Sequence, residues 1–135
     1  MNFKFIFQLS LFGLIMAFAT ISLIPEKTEP LFWVVIFIFC AYVIAKVCTA
    51  RYFWYGFLTS VFNSVWITGV HLLFFNRYVT HHPDMAAMGN YLGYFATHPR
   101  MLMAVLAMPF GIAFGIILGL FCVVASKLVE PRVVE

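Results

Sequence analysis

Four long apolar runs decide what this chain can fold into. Residues 5–24, 31–50, 52–75 and 101–124 each match the roughly 20 residues that carry an α-helix across the hydrocarbon layer of a bilayer. In that layer every backbone amide and carbonyl needs a partner within its own helix or a closed barrel. The runs do not alternate as barrel strands would, so the expectation is an all-α, polytopic membrane protein: four transmembrane helices in one membrane domain covering 1–135. Composition agrees. Apolar residues make up 64% and charged residues 10% of the chain, against roughly a quarter charged in soluble domains. Eight Lys+Arg and five Asp+Glu cannot cover the large surface of a small soluble domain. A soluble enzyme, a disordered chain and a nucleic-acid binder are all excluded on that ground, and the partner implied is the lipid bilayer.

The boundaries carry the polar punctuation expected of spans. Pro25-Glu26-Lys27-Thr28-Glu29-Pro30 separates the first two runs, and Lys46 lies within the second, where its stem can carry the ammonium to the interface. Lys4, an apolar stretch and Ala17-Phe18-Ala19 have the outline of a secretory signal. The stretch continues to Ile24, longer than the core of about 7–15 residues usual in such signals, so it is read as a span. Lys4, Lys46, Arg51, Lys127 and Arg132 flank one side of the spans and Lys27, Arg77 and Arg100 the other. That bias places both termini in the cytoplasm of a cell with a cytoplasmic (inner) membrane. Tyr52, Trp54 and Tyr55 form an aromatic belt at one interface, Trp33 and Tyr78 at the other.

Only one connection is long. Residues 76–100 form an outer loop in which Met85, Met88, Leu92 and Phe95 recur at helical spacing, predicting one short amphipathic helix between spans 3 and 4. Pro83 suits its first turn and Pro99 the first turn of the fourth span. Gly89 and Gly93 weaken it.

Two patterns inside the spans point to candidate sites. In the fourth, Ala107, Gly111, Gly115 and Gly119 recur every four residues, forming a shallow groove that lets another helix approach closely. The candidate occupants are Gly13 and Ala17 of the first span, which we favour, or a second subunit. Pro109 predicts a kink in the same helix. In the third span, Ser60, Ser64, Thr68 and His71 follow one stripe, with Thr59 and Asn63 on its edge. Groups of this kind turn away from lipid. They either bond within the protein, with Asn63 cross-linking to a neighbouring helix, or line a path for a small polar solute or proton.

The remaining chemistry-bearing residues form no diagnostic constellation. His81, His82 and His98 with Asp84 could hold zinc or copper, but they lack the spacing of a known site. Met85, Met88, Met101, Met103 and Met108 could serve copper as soft ligands but read better as packing residues. His71 alone lies within a span, whereas a haem between spans would want a histidine from each of two helices. Cys40, Cys48 and Cys122 are read as small hydrophobes. The expectation is no catalytic residue, no metal and no cofactor.

Tyr55-Gly56-Phe57-Leu58-Thr59-Ser60 opening the third span, the Pro83-Asp84-Met85 loop and a glycine-lined final span ending at Lys127 resemble the small bacterial membrane proteins of the domain of unknown function 4199. The resemblance covers most of the chain and implies four spans with an extracytoplasmic segment between the third and fourth. It implies no activity. The connection from Lys46 to Arg51 is shorter and less charged than that pattern. Taken together, the sequence points to a non-enzymatic accessory or structural subunit associating through its helix faces, in a homo-oligomer or a larger membrane complex. A small oligomeric transporter or channel built on the third-span stripe is the alternative, and a metal-binding membrane protein the third reading.

Overall fold

The computed structural model describes residues 1–130, apart from the side chains of residues 85 and 86. Arg132 of the charge balance and the side chain of Met85 therefore lie outside the described residues. Helices α1 (Phe3–Ser22), α2 (Glu29–Val47), α3 (Tyr52–Leu73) and α6 (Pro99–Leu128) are long and apolar enough to cross a bilayer. Between α3 and α6 lie α4 (Phe75–His81), α5 (Pro83–Asn90) and a 3₁₀ turn, Gly93–Ala96. The protein is thus an all-helical, four-span membrane protein.

Local chemistry accounts for the ends. The Asn2 side chain accepts a hydrogen bond from the Phe5 amide and caps α1. Pro30, Pro83 and Pro99 occupy first turns of α2, α5 and α6, where a missing N–H costs nothing. The second helix stops at Val47, three residues short of the apolar run, because Cys48 is extended and the chain must reverse by Arg51. Arg51 takes a left-handed conformation, φ 58°, to make that turn. Helix α6 continues unbroken through Pro109 for 30 residues. Its length of about 45 Å exceeds the hydrocarbon thickness.

A short helix lies between the third and fourth spans as expected, with Pro83 in its first turn, but it is shorter than the apolar stripe and does not reach Leu92 or Phe95. Helix α5 ends at Asn90, Gly93 adopts φ +54°, and Leu92 and Tyr94 are exposed. Glycine takes a left-handed conformation with little penalty, so the chain turns at Gly93 where a helical stripe would have required it to continue. The residues just after the third span, assigned to loop by the sequence, form α4.

Helix α3 is the centre of the bundle. It runs parallel to α1 and antiparallel to α6, and these are the two most extensive helix pairs; α2 rests chiefly on α6. The glycines explain the closeness of α3 and α6. A Cβ on Gly115 would meet the Phe57 ring at 2.9 Å, and one on Gly119 the Phe53 ring at 2.7 Å. A Cβ on Gly111 would collide with Ser64 Oγ. Across the same seam Gly56 faces the Leu118 carbonyl and Gly119 Cα. The groove therefore takes the third span, not the first. Gly13 instead receives Asn63 of α3, and Ala17 packs with Ile21 and Val70 between α1 and α3.

The bundle is filled unequally along its length. In the half away from the long connection, Leu9, Phe37, Cys40, Ala41, Ile44, Leu118 and Cys122 form a continuous apolar cluster. Cys40 and Cys122 are fully buried there, and burial pushes the thiol of Cys48, at the end of α2, up from its usual range. A thiol reagent at neutral pH should leave all three unmodified in the folded protein, since attack requires an accessible thiolate. Prompt modification of Cys40 or Cys122 before unfolding would contradict the packing.

Candidate functional site: an intramembrane cavity roofed by stacked rings

The other half of the bundle contains a cavity of about 290 Å³ between α2, α3 and α6. It arises because α2 leans on α6 and has little contact with α3. Ser60, Asn63, Ser64, Thr68 and His71 form its α3 wall; Trp33, Phe37, Met103, Leu106, Ala107, Phe110 and Phe114 supply apolar surface. It follows α3 from Ser60 to His71, about 16 Å at 1.5 Å per residue. That is roughly half the hydrocarbon thickness. Glu26 and Glu29 mark its polar end, and the edge-to-face contact of Phe37 with Phe114 lies at the other. Beyond that contact comes the apolar cluster, which closes the cavity at that end.

Five of the six stripe residues thus share one wall. Thr59 does not line the cavity; it is fully buried and its hydroxyl has no partner. Ser64 donates back to the Val61 carbonyl at 2.8 Å. Asn63 departs from the expectation of a cross-link between helices. Its side chain sits over Gly13, 2% exposed, and neither its amide nitrogen nor its oxygen has a hydrogen-bond partner. The α1–α3 seam is bridged elsewhere: Tyr55 Oη accepts from the Asn2 amide, Trp66 Nε1 donates to Ser10 Oγ, and His71 Nε2 lies 2.8 Å from Thr20 Oγ1. Because the Thr20 hydroxyl donates to the Met16 carbonyl, it accepts from His71 Nε2–H, which sets the tautomer of that ring.

Helix α4 folds over the polar end. The Tyr78 ring stacks on His71 with centroids 3.9 Å apart and on His82 at 4.1 Å. His82 Nδ1 lies 3.0 Å from the Tyr78 carbonyl, and its Nε2 faces Glu29 Oε2 at 3.4 Å. Glu29 also accepts from Trp33 Nε1 at 3.1 Å. Burial, reinforced by the carboxylates of Glu29 and Glu26, pushes the Tyr78 phenol well above its usual range, so it stays neutral at physiological pH. A second cavity of about 180 Å³ lies beneath α5, bordered by Tyr78, Met103 and Leu106 as well.

Sequence reasoning placed Tyr78 in an aromatic belt, His82 among metal candidates and Glu29 in a polar turn, and did not assign them or Thr20 to this site. A signal for the first two existed. Tyr78 and His82 lie seven and eleven residues after His71, which repeats one helical phase, and from His71 to His81 the chain stays helical apart from Phe74. The polar character of Asn76-Arg77 concealed it. No spacing announces Glu29 or Thr20, which reach the site from other helices.

The histidines considered for metal are dispersed. His82 is inside, His81 is exposed, and His98 is exposed, stacked on Tyr94 and bonded to Thr97. Among the described residues no group of three His, Cys, Asp or Glu side chains could hold a metal ion. Met101 and Met108 are exposed, whereas Met103 lines the cavity. Comparison with known proteins finds no matching family model, no matching curated protein and no matching solved structure.

Proposed function

We propose that the protein is a small-solute carrier of the cytoplasmic membrane, and that the cavity beside α3 is its binding site. The observation that carries this reading is Asn63: a buried amide at the midpoint of a spanning helix, on a cavity wall, with both polar atoms unpaired. An amide left so costs about 1–3 kcal/mol, and a turn of the side chain from Gly13 towards the cavity would let a bound polar group or water remove that penalty. A mostly apolar cleft with a few convergent polar groups is the common form of a small-molecule site, and sites near the bilayer midplane are usual in transporters. The apolar cluster beneath Phe37 and Phe114 favours a carrier over a channel, because it leaves no continuous polar path.

The accessory-subunit reading drew on the absence of a catalytic constellation and on the glycine groove. With Ser64, Phe57 and Phe53 of the same chain in that groove, the groove no longer argues for a second subunit. The basic-residue bias supports cytoplasmic termini, with the cavity loaded from the extracytoplasmic side.

Single-cysteine labelling tests the site. With Cys40, Cys48 and Cys122 replaced by Ala or Ser, Ser64→Cys and Thr68→Cys should react with a membrane-impermeant methanethiosulfonate added from the side of the 74–98 segment. Ala41→Cys, in the closed half, should not react from either side. Equal protection of all three positions would mean a dry core and end the carrier reading.

A further inference from the structure

The roof of the cavity contains a buried histidine beside a carboxylate. His82 is 0% exposed, and its Nδ1 points at the Tyr78 carbonyl 3.0 Å away. A carbonyl only accepts, so Nδ1 carries a hydrogen. Its Nε2 makes no hydrogen bond and faces Glu29 Oε2 at 3.4 Å. A neutral ring with its hydrogen on Nδ1 would turn a buried lone pair towards the half-buried Glu29 carboxylate, two acceptors beside each other. One further proton resolves this, carried either on the imidazole or on the carboxyl. Both arrangements leave the pair with no net charge.

The charges around the cavity select what could replace that proton. Glu26 and Glu29 are the charged side chains on its lining. The cations of this end, Lys27, Arg77 and Arg100, are exposed and do not line it; the Arg100 guanidinium lies over Phe75. Trp33 borders the same end as Glu29, and further in the lining is largely aromatic and aliphatic. A carboxylate at the entrance and ring faces beside it suit a positive head group on an apolar body. An organic cation, unlike a bare metal ion, would use the aromatic and aliphatic lining as well as the carboxylates.

We propose that His82 and Glu29 form an exchange site at which an amphipathic organic cation displaces one proton. The proposal rests on the carrier reading and names its substrate class. On binding, the cation takes Glu29 as counter-ion, the shared proton leaves to solvent, and His82 remains as the neutral Nδ1–H tautomer. One positive charge enters as one leaves, so the site's net charge is unchanged. The other titratable groups facing the pair are Glu26 from the first connection, His71 from α3 and Tyr78 from α4. Tyr78 stays neutral, and His71 is separated from His82 by the Tyr78 ring. The α6 side of the cavity contributes no titratable group.

Benzyltrimethylammonium is a suitable probe because its charge does not vary with pH; neopentylbenzene is its neutral isostere. Titrating the cation into purified full-length protein in weakly buffered nanodiscs, with a pH indicator, should release about one proton per cation bound. Its affinity should rise by about tenfold per pH unit while the pair holds its proton and level off above that range. Glu29→Gln should weaken cation binding at least tenfold and leave the neutral isostere unaffected. His82→Ala should still bind the cation but release no proton near neutral pH. Binding of both probes without proton release overturns the exchange and leaves the cavity reading intact. If neither probe binds, both fall. The proton count is made on the unaltered protein and so does not depend on either variant folding.

Discussion

Replacing Gly56 with leucine should unfold the bundle or destabilise it by about 3 kcal/mol, read as a lower midpoint in SDS-induced unfolding from detergent micelles. A Cβ at this position would lie 2.8 Å from the Leu118 carbonyl oxygen and 3.0 Å from Gly119 Cα. Both are backbone atoms of a helix and cannot rotate aside as a side-chain end could, so α3 and α6 would have to separate. Separation would also undo the contacts of Phe53 and Phe57 with Gly119 and Gly115 on the same seam. Membrane helices gain little from excluding water, and their association depends on such close van der Waals contact. Gly69 is the control: a Cβ there meets nothing within 4 Å. Gly69→Ala should be neutral or stabilise by about 0.5–1 kcal/mol through helix propensity. Equal effects at the two positions would show that α3 and α6 do not pack through Gly56.

Asn63→Leu should act in the opposite sense on stability while slowing labelling at the cavity wall. The asparagine amide is buried with both polar atoms unpaired, and replacing it with an apolar group of similar size removes a penalty of about 1–3 kcal/mol. Leucine must fit the notch over Gly13, where no Cβ could be added without striking Asn63; that constraint places the gain towards the lower end. The expected pair of results is a raised unfolding midpoint and slower methanethiosulfonate labelling of Ser64→Cys in the same background, because the amide no longer draws a polar group or water to that wall. A stability gain with reduced access to the wall is the pattern of a residue kept for its ligand. A fall in stability would instead identify Asn63 as a structural bond between α1 and α3. Gly13→Leu should be severely destabilising in either case, because its Cβ would lie 2.8 Å from Asn63 Cα.

The two variants probe opposite halves of one design. Small residues along α6 bring α3 near enough to form a rigid pair, and α1 is held to α3 by Trp66–Ser10 and His71–Thr20. The remaining helix, α2, touches mainly α6. Its weaker contact with α3 leaves the space that Tyr78 and His82 roof. Motion that opened the closed half would most simply move α2, whose Phe37, Cys40, Ala41 and Ile44 pack in one cluster with Leu9, Leu118 and Cys122.

The sequence by itself determined the number of spans, their approximate limits and the division of α3 into a polar and an apolar face, because a bilayer tolerates only long runs of internally bonded apolar helix. It also marked Gly111, Gly115 and Gly119 as a seam, since small residues at four-residue intervals form a groove whatever lies against them. Tertiary structure alone decided what lay against them. The groove met Phe53, Phe57 and Ser64 rather than Gly13 and Ala17 because helix order around the bundle is set by the sum of all side-chain contacts, which no single-helix pattern contains. It alone also brought Glu29 and Thr20, from two other helices, to the stacked rings at the end of α3. Within lipid, apolar faces discriminate poorly among neighbours, so which surfaces meet, and where a cavity is left, is settled by shape across the whole bundle.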